Sequence, residues 1–179
     1  MGYSWTYLGD ATIPDENREA WLAASAASFP HGAVLGTPAL EGWGLHDPDV
    51  EDDATTVRDV LTALAEELGA VVRFEEGPIV VHVVADKSMD AWLTYRANLA
   101  AAFVALGTFG GRGALTVVGF LDGPDDGFEL TVMPEGSTAR SLGAQEVETI
   151  RTSERFAGLL DAYDQAMRAA NPELADLIG

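Results

Sequence analysis

Residues 70–87 read AVVRFEEGPIVVHVVADK, and this stretch decides the fold. It contains two runs rich in β-branched residues, Ala70–Phe74 and Ile79–Ala85, with Glu75-Glu76-Gly77-Pro78 between them. β-Branched residues favour strands, and a short connection with glycine and proline favours a turn. The stretch therefore predicts a β-hairpin. Because nearly every residue of the second run is apolar, that strand is expected to be covered on both faces.

Helical patterns stand on either side of this hairpin. Apolar residues recur at helical spacing from Val57 to Leu68, and Asp52 or Asp53 is the predicted N-terminal cap of that helix. After the hairpin, a second helix is predicted from Ser88 to Leu106, and the glycines of Gly107–Gly113 end it. The order of elements is thus helix, hairpin, helix.

The remaining chain repeats these elements. A second hairpin is predicted from Ala114–Leu121 and Phe128–Met133, which are separated by a turn rich in aspartate and glycine. Tyr3–Leu8 has the aromatic composition of a short strand. A helix is expected to follow, with Thr12 as its cap and its end near Ser28.

The C-terminal third is less regular. Gly136–Gly143 is predicted to be a loop, Gln145–Arg151 is open between an extended segment and an early helix, and a helix is expected from Ser153. Paired hairpins with intervening helices indicate an α+β fold. We expect residues 1–179 to form a single domain, with a mainly antiparallel sheet built from two hairpins and about four helices packed on it.

The composition restricts the partners that the protein can have. The chain has 29 acidic and 10 basic residues, a net charge of −19. Such a surface repels nucleic acid and anionic membranes, and it attracts basic proteins. The alternative is that the acidity serves only solubility or reflects a salt-rich habitat. We therefore expect no nucleic-acid or membrane partner, and the oligomeric state stays open.

The chain contains no cysteine. Disulfides, thiolate metal sites and a cysteine nucleophile are thereby excluded. Met1–Asp10 lacks the basic and apolar regions of a signal peptide, which favours the cytoplasm. Lys87 is the single lysine among many alanines and glycines, a composition typical of a GC-rich bacterial genome.

Acidic residues are densest in Glu41–Asp53, a segment with six acids, no base and one tryptophan, Trp43. An aromatic side chain among charges is typical of an interface anchor, and the alternative is that Trp43 folds back onto the core. The acids could also serve as ligands of a hard cation or as a solvated loop, but the EF-hand pattern fails. The predicted partner-binding residues of this segment are Trp43, Asp47, Asp49, Glu51 and Asp52.

A second acidic group, Asp122–Glu129, lies at the tip of the second hairpin. Aspartate and glycine serve a tight turn for backbone reasons alone, so a purely structural role is the alternative here. The predicted partner-binding residues of this group are Asp125 and Asp126. No metal or cofactor is expected at either group.

No catalytic motif is complete. His31, His46 and His82 share no metal-ligand spacing, and no Gly-x-Ser-x-Gly element is present. The glycines of Gly107–Gly113 follow a helix and precede a strand, which is the reverse of the order in a phosphate-binding loop. We therefore name no catalytic residue.

Three classes of function remain open. The first is an acidic, non-enzymatic binding protein that neutralises a basic partner such as a toxin, as bacterial immunity proteins do. The second is a small enzyme or ligand-binding domain whose site is assembled from distant residues, with His82 and Arg96 among the candidates. The third is an assembly subunit. We favour the first because the charge and the missing catalytic motifs agree with it.

Overall fold

One antiparallel sheet organises the chain. A computed structural model describes residues 5–25, 34, 36–43, 55–68, 71–74, 78–85, 89–119 and 124–170. In this part of the chain the sheet has the strand order β2-β3-β1-β4-β5-β6, and each pair of neighbours is antiparallel. The strands are β1 (Trp5–Thr12), β2 (Val71–Phe74), β3 (Pro78–Ala85), β4 (Arg112–Gly119), β5 (Gly127–Val132) and β6 (Thr138–Leu142).

Helices pack on both faces of the sheet. The described residues form α1 (Asp15–Leu22), a 3-10 helix (Pro38–Trp43), α2 (Val57–Leu68), α3 (Met89–Thr108), α4 (Ala144–Arg151) and α5 (Glu154–Ala170). The predicted fold class is confirmed: the protein is a single α+β domain with an antiparallel sheet, and both predicted hairpins, β2–β3 and β4–β5, are present. The estimate of about four helices was approximate, because α4 is a separate helix.

The first strand of the chain lies at the centre of the sheet. β1 pairs with β3 on one side and with β4 on the other, so Leu8 stands opposite both His82 and Thr116. It thereby joins the two hairpins. Gly113 permits the close pairing of β1 and β4, because a side chain there would meet the backbone of Ala11 at 2.5 Å.

The main core lies between α1, α2 and α3 and one face of the sheet. α3 is its centre, and every residue from 96 to 107 is buried. A helix buried on all sides is expected to be apolar all round, as most of this segment is. The largest fully buried side chains of this core are Trp21, Leu40, Leu64, Leu99, Phe103, Leu106, Leu115 and Phe128.

A smaller core lies on the opposite face. Leu8, Val118 and Leu142 of the sheet pack there against side chains of α4 and α5. The helices contribute Val147, Phe156 and Leu159.

Two predicted helix starts are corrected by local chemistry. The first helix begins at Asp15 and not after Thr12, which is the last residue of β1. Pro14 explains this difference, because a proline disfavours helical geometry in the residue before it. The second helix begins at Val57. Its start follows a reciprocal cap in which the Asp59 carboxylate accepts hydrogen bonds from Thr56, and the Thr56 hydroxyl accepts one from the Asp59 amide.

The segment predicted to be a loop, Gly136–Gly143, contains the edge strand β6. Its residues are mostly exposed, so they lack the alternation that marks a half-buried strand, and pairing with β5 creates the strand. The ambiguous segment Gln145–Arg151 is helical.

No helix within the described ranges is both long and apolar enough to cross a membrane.

Candidate partner-binding surface

An aromatic cluster closes the end of the sheet at which β1 begins and β4 ends. The Trp43 ring lies edge-on to Trp5, with ring centroids 4.8 Å apart, and edge-on to Phe128, with centroids 5.0 Å apart. These three residues come from the 3-10 helix, β1 and β5. Edge-to-face packing of this kind adds to the stabilisation from apolar burial. The cluster therefore fixes the 3-10 helix against this end of the sheet.

Arg96 of α3 lies beneath this cluster. Its guanidinium carbon is 5.2 Å from the centroid of the Trp43 ring, a cation–π contact, and the residue is only 7% exposed. Burial lowers the pKa of Arg96, while nearby Tyr7 and Asp126 act in the opposite direction. Among the described residues no hydrogen-bond partner is found for Arg96 Nε. The Trp43 ring is thus a direct contact of this buried positive charge, and the Asp126 carboxylate favours the charge electrostatically.

Tyr7 lies beside this arginine in the core. Burial raises the pKa of the Tyr7 phenol, and the Arg96 charge only partly offsets that rise. The phenol is therefore neutral at physiological pH.

The structure places Trp43 in the core, where it is 8% exposed. Of the two alternatives that the sequence left open, the described residues show the one in which this indole folds back. In this conformation the ring is not available as an exposed anchor. Its position instead fixes the 3-10 helix, which carries Glu41, the first acid of the segment Glu41–Asp53.

The described parts of the two acidic groups found in the sequence, Glu41 in one and Asp125 and Asp126 in the other, lie at this end of the sheet. Trp43 precedes residues 44–54, and Phe128, its contact, follows Asp126 by two residues. Asp47, Asp49, Glu51 and Asp52 lie outside the described residues. What the structure brings together is the start of their segment and the β4–β5 connection. We call this region, defined by Glu41, Asp125 and Asp126 around the Trp43–Phe128 contact, the acidic end.

Asp125 is held in place by a buried arginine. Arg151 Nη1 donates to Asp125 Oδ1 at 2.8 Å, Nη2 donates to the carbonyl oxygen of Pro124 at 2.6 Å, and Nε donates to that of Gly119 at 2.8 Å. The Arg151 side chain is 6% exposed and that of Asp125 is 72% exposed. One buried guanidinium therefore fixes the acidic turn while leaving its carboxylate accessible to solvent. Asp126 is exposed beside it.

The sequence interpretation identifies neither Arg96 nor Arg151 as part of a partner-binding surface. Arg151 belongs to the segment that the sequence leaves open between an extended segment and a helix. Arg96 is a candidate only for an enzyme site assembled from distant residues. The sequence does not show whether an arginine is buried or exposed. Three-dimensional packing alone distinguishes them.

Basic side chains neutralise less of the negative surface charge than the composition indicates, because Arg96 and Arg151 are buried. The surface ion pairs of the described residues are Arg18–Asp15, Arg58–Glu19, Arg140 with Glu129 and Glu146, Arg155–Asp10 and Arg168–Asp164. Within the same part of the chain, several exposed acids take part in none of these pairs: Glu16, Glu41, Glu66, Asp126, Glu135, Glu148, Glu154 and Asp161. These carboxylates are available to a basic partner.

Metal binding has no support in the described ranges. There, no group of three or more histidine, aspartate or glutamate residues is arranged to hold an ion. His31 and His46 lie outside those ranges, and His82 pairs through its backbone with Leu8 and Val71.

The fold and its charge define an acidic α+β protein with an antiparallel sheet covered on both faces. Comparison of the chain with protein-family models, with curated proteins and with solved structures finds no match.

Proposed function

We propose that this chain is a non-enzymatic binding protein that neutralises a basic protein partner, such as a cationic toxin, as bacterial immunity proteins do. Its binding surface consists of the acidic end together with Asp47, Asp49, Glu51 and Asp52, which follow Trp43 in the sequence. One observation carries the proposal: the Trp43–Phe128 contact joins the 3-10 helix, whose Glu41 begins the acidic segment Glu41–Asp53, to the turn that presents Asp125 and Asp126. Glu41 and the Asp125–Asp126 turn, which are distant in sequence, thereby lie at the same end of the sheet.

Electrostatic attraction explains how this arrangement favours binding of a basic partner. A net charge of −19 produces a long-range field that raises the rate at which a basic partner arrives. Local complementarity then selects the orientation of the complex. Arg151 supports this step because it fixes the acidic turn before binding, so less conformational entropy is lost on association.

The proposal assigns binding to the charge of one surface and not to the net charge of the protein. Two variants with equal net charge test this distinction. The acidic-end variant carries Asp47→Asn, Asp49→Asn, Glu51→Gln and Asp126→Asn. The control variant removes the same charge from carboxylates elsewhere and carries Glu135→Gln, Glu148→Gln, Glu154→Gln and Asp161→Asn. Asp126 and the four control residues are exposed, and Asp47, Asp49 and Glu51 belong to the acidic segment defined from the sequence. Thermal unfolding checks that each variant is folded.

The experiment is affinity capture from a bacterial lysate at low salt, followed by mass spectrometry and binding measurements with the purified captured protein. We expect the wild type and the control variant to capture the same basic protein. The acidic-end variant is expected to bind it at least about tenfold more weakly, because several interfacial charge pairs of up to about 1 kcal/mol each are lost. Absence of any basic partner, or equal weakening by both variants, contradicts the proposal.

A further inference from the structure

A groove lies on the sheet face that carries the smaller core, toward the end of β1 that is remote from the acidic end. It has a volume of about 350 Å³ and is lined by side chains of Asp10 and Thr12 from β1, Arg112 and Ala114 from β4, and Arg155 from α5. Trp5 and Thr12, the two ends of β1, are about 23 Å apart at the rise of an extended strand. The groove is therefore a different region from the acidic end.

Strand register explains why the groove forms. Thr12 pairs with Arg112, and Asp10 pairs with Ala114. Side chains alternate between faces, so Asp10 and Thr12 share a face with Leu8, which packs into the smaller core. Further along β1 the helices no longer supply apolar cover, and Ala114 fills little space. The result is a depression lined by charged and hydroxyl side chains and by the small side chain of Ala114.

The charges of this groove are opposite to those of the whole protein. Two guanidinium groups, Arg112 and Arg155, line it together with one carboxylate, Asp10. Arg155 Nη2 lies 3.6 Å from Asp10 Oδ2, which is longer than a hydrogen bond. Arg112 is exposed and takes part in none of the ion pairs that the described residues form. The groove therefore carries a positive charge that its own residues do not balance.

We propose that this groove binds a small molecule through an oxyanion, a carboxylate or phosphate group, held between the guanidinium groups of Arg112 and Arg155. Guanidinium groups recognise such anions through paired, charge-assisted hydrogen bonds, and the Thr12 hydroxyl supplies a further donor. The volume is near the lower limit for small-molecule sites, so the ligand is a compact one. This site is independent of the proposed recognition of a basic protein.

The most specific prediction of this proposal concerns Asp10. Its carboxylate competes with the ligand for Arg155 and repels any anion that enters the groove. Asp10→Asn is therefore expected to tighten oxyanion binding, whereas Arg112→Gln and Arg155→Gln are expected to weaken it. Arg168→Gln is the matched control, because it removes one exposed arginine that pairs with Asp164 elsewhere on α5.

The test is a titration of the full chain with inorganic phosphate and, separately, with acetate, at constant ionic strength, followed by amide chemical shifts. We expect saturable shifts at residues 10–12 and 112–114. Affinity should fall about tenfold or more in each groove arginine variant, rise in Asp10→Asn and stay unchanged in Arg168→Gln. A response to phosphate alone assigns a phosphate ligand, and a response to acetate alone, or to both anions, assigns an oxyanion site that accepts carboxylates.

The proposal is overturned if neither anion gives saturable shifts, if the shifts lie away from the groove, or if all variants bind alike. Should an arginine variant fail to fold, the wild-type shift map and the Asp10→Asn affinity decide the matter without it. Either one can contradict the proposal: a shift map outside the groove or an unchanged affinity of Asp10→Asn.

Discussion

The Trp43 indole packs edge-on against the Phe128 ring, with their centroids 5.0 Å apart, and this contact connects the 3-10 helix to the start of β5. Trp43 lies at the beginning of one acidic segment and Phe128 at the end of the other acidic turn. This buried aromatic pair thus holds the 3-10 helix with Glu41 at the same end of the sheet as the Asp125–Asp126 turn. Trp43 acts in this arrangement through packing and not through exposure.

Replacement of Trp43 tests this structural role. Trp43→Ala is expected to lower the free energy of unfolding by about 3–5 kcal/mol, because it removes a large buried ring and leaves a cavity. Trp43→Phe, which retains an aromatic ring, should cost clearly less. Urea denaturation measures both changes. A loss below about 1 kcal/mol for Trp43→Ala would mean that the ring is not part of the core.

Arg151 and Asp125 form an asymmetric pair. Arg151→Met is expected to cost about 2–5 kcal/mol of unfolding free energy, because it leaves the buried carbonyl group of Gly119 and the partly buried one of Pro124 without their donor. Asp125→Asn should cost less than about 1 kcal/mol, since that side chain is mostly exposed. Equal effects in denaturation experiments would contradict the observed burial of the guanidinium.

Replacement of Arg96 is expected to have little effect on stability, in contrast to replacement of Arg151, although Arg96 is also buried. Its Nε has no hydrogen-bond partner among the described residues, and its charge lies over an aromatic ring. Replacement of such a charge by an apolar side chain of similar length is often neutral or stabilising. We expect Arg96→Met to change the free energy of unfolding by less than about 1 kcal/mol or to raise it. A loss as large as that of Arg151→Met would show that Arg96 is strongly paired.

The Thr56–Asp59 cap predicts a pH dependence. Hydrogen bonds from Thr56 lower the pKa of Asp59 in the folded state, so this contribution to stability is complete above the unfolded pKa and is lost as the pH falls through the folded one. Thr56→Ala should cost about 1 kcal/mol at neutral pH. The difference from the wild type should shrink below about pH 4, as measured by urea denaturation across a pH series. A difference that stays constant at low pH would contradict the cap.

The hairpins and the main helices could be predicted because their signals are local. The β-branched runs on both sides of residues 75–77 mark β2 and β3, and the helical spacing from Val57 to Leu68 marks α2. The helix expected from Ser153 is α5, which begins at Glu154, and the Ser153 hydroxyl accepts a hydrogen bond from the Phe156 amide. Each of these patterns acts over a few residues, and the chain can satisfy it without distant contacts.

The features that escaped prediction depend on distant contacts. β6 has mostly exposed residues and becomes a strand only because β5 pairs with it. The neighbours of Trp43 in sequence are acidic and glycine-rich, but its neighbours in space are Trp5 and Phe128. The groove has no sequence motif, because Asp10, Arg112 and Arg155 meet only through strand register and helix packing.

The most direct test of the central claim is the association rate constant of the captured basic partner, measured against salt concentration for the wild type, the acidic-end variant and the matched control. We predict that the rate falls steeply with salt for the wild type and the control, and that the acidic-end variant associates at least about tenfold more slowly at low salt with a weaker salt dependence. Identical rates and salt dependences for the two variants would contradict the assignment of partner recognition to the acidic end.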